Sequence, residues 1–357
     1  MHRPFVLSPT FNFSTTLPVI FLSVLLCVSG VSRVYADEEI PEFIDKPLEE
    51  PIILPQWFKL SFLDLLDDVE DAKASGKKGI IVYFGQKDCP YCKAHLETNW
   101  GNPDTIKYTQ KYFDVIALDV KGDRNITTID GVVYDEKAYS AMHRTNFTPS
   151  LLFFNIEGKE VLKLQGYHPP YKFRAALEYV ADEHYKTEGF RDYLARGELA
   201  EGYGEDILNT HPSFMSPPYL LDRSRIAAKR PLVVLFEQKR CHACDILHAG
   251  PLSHPEITHR LKDMDVVQLD LRSETKLIRP DGKRTTAGEW ARELDLFYTP
   301  TLIIFDEQGK EIIRISSVVW VYRLNNVLNY ISSGAYKKYD TYQLWRQYLM
   351  RKKMGVE

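Results

Sequence analysis

Two cysteine pairs carry the residue types best suited to chemistry in this sequence. Cys89-Pro-Tyr-Cys92 and Cys241-His-Ala-Cys244 each follow an apolar run and precede a segment with helical spacing. With the predicted signal segment removed, no other cysteine is left, so each thiol has its natural partner three residues away. A static disulfide across so short a loop would restrain the unfolded chain little. The pattern therefore favours disulfide exchange over structural cross-linking.

The two cysteines of each motif are predicted to have different roles. Cys89 and Cys241 would lie at helix N-termini, where unpaired N–H groups and the helix dipole stabilise a thiolate. They are the predicted nucleophiles that attack a partner disulfide. Cys92 and Cys244, three residues later on the same helical face, are predicted to resolve the mixed disulfide.

Residues 1–36 are predicted to be a signal peptide. They contain Arg3, no acidic residue, an apolar stretch over 17–31, and the small-residue pattern of a cleavage site at Val34-Tyr-Ala36. The stretch is short for a membrane span, which needs about 18 or more apolar residues. An uncleaved anchor is the alternative and would be the only membrane attachment. In both cases the rest of the chain is expected in an export compartment, and we expect the bacterial periplasm.

The charge of the remaining chain excludes one class of partner. Removing residues 1–36 leaves 43 basic and 49 acidic residues, a net charge of about −6. This balance argues against nucleic acid binding.

The remaining 321 residues contain an internal repeat. The matches lie at offsets of 151 and 152 and pair 84–89 with 236–241, 148–149 with 299–300, and 151–160 with 302–311. Two copies of one fold explain these matches best. We therefore predict a leader over 37–56, a first repeat over 57–200, a linker over 201–213 and a second repeat over 214–357.

Each repeat shows the same predicted order of elements, so both are of the α/β class. The predicted helices cover 60–74, 136–144 and 170–185 in the first repeat, and 286–294 and 319–332 in the second. The predicted strands cover 80–84, 113–120, 151–155 and 160–165, and then 232–236, 266–271, 302–305 and 311–316. Asp130-Gly131 and Asp281-Gly282 predict a hairpin insertion in each repeat. Tyrosine-rich C-terminal extensions, over 185–193 and 336–348, are predicted to pack on their own sheet, with docking of a partner or of the other repeat as the alternative.

This order of elements around a CxxC motif resembles the thioredoxin fold, here in tandem, with a central mixed sheet flanked by helices. The resemblance implies that Pro149 and Pro300 follow cis peptide bonds beside the cysteines. It also implies that the backbone of Thr148 and Thr299 pairs with a bound substrate strand. The closest resemblance within the family is to periplasmic thioredoxin-like proteins associated with bacterial sulfur oxidation.

Residues around the cysteines depart from ordinary thioredoxin. Pro90-Tyr91 resembles the glutaredoxin dipeptide, and His242 resembles the histidine of periplasmic oxidants, although at the other intervening position. Lys87 and Lys239, two residues before each nucleophile, could add positive charge or be ordinary surface residues.

The buried acid of thioredoxins is also missing from its family position. Tyr83 and Leu235 occupy that position, six residues before the first cysteine of each pair. Proton transfer during resolution therefore cannot be carried over from the family.

The resemblance implies a thiol–disulfide oxidoreductase, with protein thiols and disulfides as substrates. A reductase or an internal electron relay between the pairs is favoured, with a membrane thiol transporter as electron donor. No cofactor is expected beyond the redox-active disulfides Cys89–Cys92 and Cys241–Cys244. One alternative is copper binding or delivery through Cys241, Cys244 and His248, spaced along one helical face. The other is one redox-active repeat and one binding or dimerising repeat. The main interpretation requires that Cys89 and Cys241 be reachable.

Overall fold

The computed structural model describes residues 43–198 and 207–355. The predicted signal peptide, the start of the leader and residues 201–206 of the linker lie outside the described residues. The first repeat consists of α1 Leu65–Ala74, β1 Gly79–Gly85, α2 Pro90–Ala94, α3 Pro103–Tyr112, β2 Phe113–Asp119, β3 Asn125–Thr127, β4 Val133–Asp135, α4 Glu136–Met142, β5 Ser150–Asn155, β6 Glu160–Gln165, α5 Pro170–Ala181 and α6 Phe190–Glu198.

The second repeat consists of β7 Tyr219–Leu220, β8 Leu232–Glu237, α7 His242–Leu247, α8 Pro255–Leu261, β9 Asp265–Asp270, β10 Lys276–Ile278, β11 Arg284–Thr286, α9 Ala287–Glu293, β12 Thr301–Phe305, β13 Glu311–Ile315, α10 Val321–Ser332 and α11 Tyr342–Lys353. It begins with the short strand β7 where the first has the helix α1, and from β8 onward it has the same order of elements as the first from β1. π-Helical turns at His95–Asn99 and His248–Leu252 follow α2 and α7. Short 3₁₀ turns at His184–Lys186 and Ala335–Lys337 follow α5 and α10.

Both central sheets have four strands and the same mixed topology. Their orders are β2-β1-β5-β6 and β9-β8-β12-β13. The second strand in each order, β1 or β8, pairs parallel with one neighbour and antiparallel with the other. The predicted Asp-Gly hairpins are present as β3–β4 and β10–β11. Two mixed sheets, each flanked by helices, confirm the predicted α/β fold class.

Burial explains why β1 and β8 are continuous apolar runs. Every residue of both strands is buried, because helices cover both faces of each sheet. In β1, Ile81 and Tyr83 contribute to the core on one face, whereas Ile80 and Phe84 contribute to the core on the other. These strands end four residues before Cys89 and Cys241 and fix the position of each pair.

The predicted start of the first helix was wrong. Leu60 and Phe62 lie within the helix predicted over 60–74, where they would belong to its apolar face, but both are almost fully exposed. The helix instead begins at Leu65, because the carboxylate of Asp64 accepts hydrogen bonds from the backbone N–H groups of Leu66 and Asp67.

The two repeats pack against each other through equivalent elements. Lys172, in the first turn of α5, donates to the carbonyl of Phe297 at 3.2 Å. Arg323, which is 151 residues later in the first turn of α10, donates to the carbonyl of Thr148 at 2.9 Å. The first turn of α5 or α10 in each repeat therefore contacts the loop before the cis-proline of the other repeat, Pro300 or Pro149. The two repeats are thus related by an approximate twofold arrangement within one chain.

The C-terminal extensions combine both predicted roles. Phe190 and Leu194 of α6, and Tyr342 and Trp345 of α11, belong to the core of their own repeat. α11 also reaches the first repeat, where the Gln343 side chain donates to the carbonyl of Asn146 at 2.8 Å. In the part of the chain that the structure describes, no helix is long and apolar enough to cross a membrane.

Replacing Phe147 tests the packing between the repeats. This first-repeat side chain is 1% exposed and lies in the core of the second repeat. Phe147→Ala is expected to lower the free energy of unfolding by about 3–5 kcal/mol, measured by urea denaturation. Phe62→Ala is the matched control at an exposed phenylalanine and should change it by less than about 0.5 kcal/mol. Equal losses in both variants would contradict the packing.

Two buried histidines predict acid sensitivity of the first repeat. Burial lowers the pKa of His95 and of His168 from 6.5 to about 3. Below pH 6.5 the unfolded chain therefore binds protons that the folded chain does not, so stability falls as the pH drops towards 3. The expected loss in this window is about 1.4 kcal/mol per pH unit for each histidine. In urea titrations at pH 7 and pH 5, His168→Leu should lose less stability than the wild type, and an equal loss would contradict the assignment.

Candidate active sites

Both cysteine pairs form disulfides at the first turn of a helix. The Cα atoms are 5.2 Å apart in each pair. Cys89 and Cys241 are the N-cap residues of α2 and α7, and their sulfur atoms accept from the N–H groups of Cys92 and Cys244 at 3.0 and 3.1 Å. The same N–H groups can stabilise a thiolate when the pair is reduced. This geometry suits Cys89 and Cys241 to the nucleophilic role.

The proline loops lie directly beside these sulfur atoms. The Thr148–Pro149 and Thr299–Pro300 bonds are cis. Cys89 Sγ lies 3.2 Å from the hydroxyl of Thr148 and 3.4 Å from its carbonyl oxygen. Cys241 Sγ lies 3.7 Å from the hydroxyl of Thr299. Each threonine is therefore placed to position a chain that reacts at the neighbouring cysteine.

The first pair is covered by the second repeat. The guanidinium of Arg323 lies 3.5 Å above the centre of the Tyr91 ring and donates to the Thr148 carbonyl. Cys89 is 4% exposed, and the cavity beside it holds only about 60 Å³. The sequence interpretation required a reachable Cys89, and in this arrangement the sulfur is not reachable by a polypeptide. The physical reason is that Arg323 occupies the carbonyl predicted to pair with a substrate strand.

The leader and Tyr91 hold this cover in place. Asp45, which is 6% exposed, accepts from the Tyr91 hydroxyl at 2.8 Å. It also accepts from the N–H groups of Tyr322 and Arg323 at 3.0 and 2.8 Å. Asp45 thus caps α10, whose own N-cap residue Trp320 provides no side-chain cap. Trp320 N–H donates to the Tyr91 hydroxyl at 2.8 Å, and burial raises the pKa of this hydroxyl well above 10.

Sequence reasoning missed this network. Asp45 and Arg323 are 278 positions apart, and neither belongs to a motif or a repeat match. The only signal at Tyr91 was its place between the cysteines, in a dipeptide that resembles that of glutaredoxin. The structure adds that Tyr91 joins the leader to the second repeat.

The second pair opens into a large cleft between the repeats. The cleft has a volume of about 1300 Å³ and is lined by residues of both repeats, among them Cys241, Thr299 and, from α5, Lys172. Cys241 is 8% exposed, whereas Cys244 is buried beneath it at 1%. A polypeptide therefore has room to reach Cys241, and Cys244 is protected from direct attack.

The other predicted residues near the cysteines have different positions. Lys87 and Lys239 are exposed, and neither forms an ion pair with a described residue. Lys239 and His242 line the cleft at the second pair. Pro90 is the first residue of α2, where its missing N–H and fixed φ favour the start of a helix.

The second repeat buries a carboxylate that the sequence analysis did not identify. Glu237, the last residue of β8, is fully buried, and His248 Nε2 lies 3.0 and 3.1 Å from its two carboxylate oxygens. Gln268 donates to the same carboxylate at 2.5 Å. The available signal was a break in the repeat, since Gly85 stands in the first repeat where Glu237 stands in the second.

The first repeat buries different polar groups. His95 and His168 are buried and neutral, and the pKa of each is lowered to about 3 by burial. Tyr83 stacks on His95 with ring centres 6.2 Å apart, and burial raises the pKa of the Tyr83 hydroxyl. The two repeats therefore surround chemically similar cysteines with different proton-binding groups.

The alternative copper site gains no support from this geometry. His248 Nε2 is occupied by the contact with Glu237. Within residues 43–198 and 207–355, no group of three His, Cys, Asp or Glu side chains is arranged to hold a metal ion. The predicted helical face therefore does not assemble a ligand set.

Several solved structures resemble this chain at low sequence identity. No curated protein matches the sequence. A thioredoxin-fold protein from Helicobacter pylori is 16% identical, with 41% of this chain and 94% of that chain covered and a TM-score of 0.33. A thioredoxin from Thermus thermophilus is 23% identical, with 33% and 83% covered and a TM-score of 0.26. The oxidised C-terminal domain of DsbD from Neisseria meningitidis is 15% identical, with 29% and 80% covered and a TM-score of 0.23.

The family model named thioredoxin-like domain matches twice, over residues 65–181 and 221–332. Each match contains one four-stranded sheet, one CxxC disulfide and one cis-proline loop. Two such disulfides in one chain are the arrangement of a thiol–disulfide oxidoreductase. Because the two matches together span well over half of the sequence, the chain belongs to the thioredoxin-like domain family.

Proposed function

We propose that the protein is a periplasmic reductase of disulfides in polypeptides, and that Cys241 is the cysteine that attacks the substrate. The observation that carries this proposal is the position of the second pair. Cys241 lies at a helix N-terminus, beside the Thr299–Pro300 loop, on a cleft of about 1300 Å³. The periplasmic location rests on the predicted signal peptide.

The proposed reaction transfers two electrons to the substrate. The Cys241 thiolate attacks one sulfur of the substrate disulfide, and the other substrate sulfur leaves as a thiolate that takes up a proton. Cys244 then attacks Cys241 Sγ, which closes the Cys241–Cys244 bond and releases the second substrate thiol. The protein is oxidised and the substrate is reduced. A dithiol must then reduce Cys241–Cys244, and a membrane thiol transporter is the proposed donor in the cell.

Glu237 and His248 are buried in the second repeat, and they are proposed to exchange protons while Cys244 resolves the mixed disulfide. His248 follows Cys244 by one helical turn, and Glu237 lies four residues before Cys241. Their hydrogen bond keeps a proton-binding pair inside a core that excludes water.

The first pair is proposed to act only after the repeats separate. Arg323, Tyr91 and Asp45 close the site around Cys89. This closure favours the alternative of one redox-active repeat, here the second, and one binding or dimerising repeat, here the first. An internal electron relay remains the competing proposal, and it requires this interface to open.

Replacing each cysteine pair separately tests which pair acts on substrates. With dithiothreitol as reductant and a disulfide-bonded peptide as substrate, Cys241→Ser should reduce turnover to the rate of dithiothreitol alone. Cys89→Ser/Cys92→Ser should keep the wild-type rate within about twofold, since sites without shared partners act independently. The rate is followed by the appearance of free peptide thiols. Loss of activity in the first-pair variant would instead support the relay.

Opening the cover over Cys89 tests the closed state. In the reduced protein, Arg323→Ala should speed alkylation of Cys89 about tenfold or more. A hydrogen bond from a charged donor contributes about 1.5–3 kcal/mol, and 1.4 kcal/mol corresponds to tenfold. The rate is measured by mass spectrometry of iodoacetamide-labelled peptides.

Lys172→Ala at the equivalent position of the first repeat is the matched control for this experiment. It removes a contact to the other proline loop and should leave Cys89 labelling unchanged. Equal acceleration in both variants would show general loosening of the interface and contradict a specific cover.

A further inference from the structure

The described residues that line the cleft at Cys241 carry an excess of positive charge. Five are basic and two are acidic. The basic residues are Lys172, Arg196, Lys239, Arg240 and Arg272, and the acidic residues are Glu178 and Asp270. The whole chain, in contrast, has more acidic than basic residues. Arg196 forms an ion pair with Glu188 at 2.7 Å and adds little to this excess, which rests on the other basic side chains.

We propose that the substrate segment bound beside Cys241 is an extended, acidic stretch of polypeptide that carries the disulfide. This inference rests on the proposed function and specifies its substrate class. Opposite charge across a binding site raises the rate of encounter and selects among partners.

Two of the basic side chains are available to a ligand. Lys239 and Arg272 are exposed, and neither forms an ion pair within the part of the chain that the structure describes. Lys239 lies two residues before Cys241, and Arg272 follows the end of β9, the strand paired with β8.

The two acidic lining residues are already satisfied. Glu178 accepts from Arg174 at 2.6 Å, and Asp270 accepts from the backbone N–H of Arg272 at 2.9 Å. The ion pair with Arg174 compensates the charge of Glu178, whereas the backbone hydrogen bond leaves Asp270 charged. Lys239 and Arg272 together still outweigh the single charge of Asp270.

The size and construction of the cleft favour a polypeptide over a small thiol. Pockets for small molecules usually hold about 300–1,000 Å³, and this cleft holds about 1300 Å³. Its walls come from both repeats, with Tyr171 and Tyr193 contributed by α5 and α6. Tyrosine side chains offer large contact areas at low entropic cost, as expected for binding an extended chain.

The test compares three synthetic peptides of equal length, each with one internal disulfide. Asp and Glu flank the disulfide in the first, Asn and Gln in the second, and Lys and Arg in the third. With dithiothreitol as reductant, kcat/KM of the full chain should be about tenfold higher for the acidic than for the neutral peptide, and lowest for the basic one. The difference should shrink from 0.01 M to about 0.3 M salt, because exposed charges are screened.

Charge reversal identifies the residues responsible. Lys239→Glu/Arg272→Glu should abolish the preference for the acidic peptide or reverse it, and the readout is the ratio of kcat/KM for the acidic peptide to that for the neutral peptide, which a general loss of turnover does not change. The matched control is Lys159→Glu/Lys310→Glu, which makes the same change in net charge at exposed turn positions. These turns join β5 to β6 and β12 to β13, at the opposite end of each sheet from the cysteines, so the control should keep the preference.

The outcomes separate this inference from the proposed function. Reduction of all three peptides at equal rates would overturn the acidic-substrate proposal and leave the reductase intact. Failure to reduce any peptide above the rate of dithiothreitol alone would overturn the proposed function itself. A preference that survives in the Lys239→Glu/Arg272→Glu variant would contradict the assignment to this cleft.

Discussion

The carbonyl oxygen of the threonine before each cis-proline can pair either with a visiting chain or with a side chain of the same protein. In the first repeat Arg323 occupies the Thr148 carbonyl at 2.9 Å. In the second repeat Lys172 binds the carbonyl of Phe297, two residues before Thr299. The contact in the second repeat thus lies two residues before the position contacted in the first. The space beside the cysteines differs as well, with a cavity of about 60 Å³ at Cys89 and a cleft of about 1300 Å³ at Cys241. The proposed division of roles between the repeats depends on it.

An approximate twofold arrangement thus has two unequal halves. The longer reach and planar fork of arginine allow Arg323 to stack on Tyr91 while it donates to the loop. Asp45 reinforces only this half, because the leader crosses the first repeat and caps α10. The closed site is therefore held by three separate parts of the chain: the leader, the first repeat and the second repeat.

The proton-binding groups follow the same division. Glu237 and His248 form a buried pair in the second repeat, where the cleft gives access to Cys241. The first repeat instead buries two neutral histidines, His95 and His168, whose pKa values fall to about 3. The two repeats therefore bury different polar groups: a hydrogen-bonded carboxylate and imidazole in the second, and two imidazoles in the first.

The sequence alone determined the α/β class, the tandem repeat and the positions of Cys89 and Cys241 before helices, because strand patterns, turns and the CxxC spacing are local features. Helix ends were less predictable: Leu60 and Phe62 fitted an apolar face, but the cap at Asp64 excludes them from the helix. Only the tertiary structure decided which cysteine pair is covered and which opens into a cleft. That outcome depends on contacts such as Asp45 with Arg323, which join residues 278 positions apart and leave no periodic or spacing signal in the sequence.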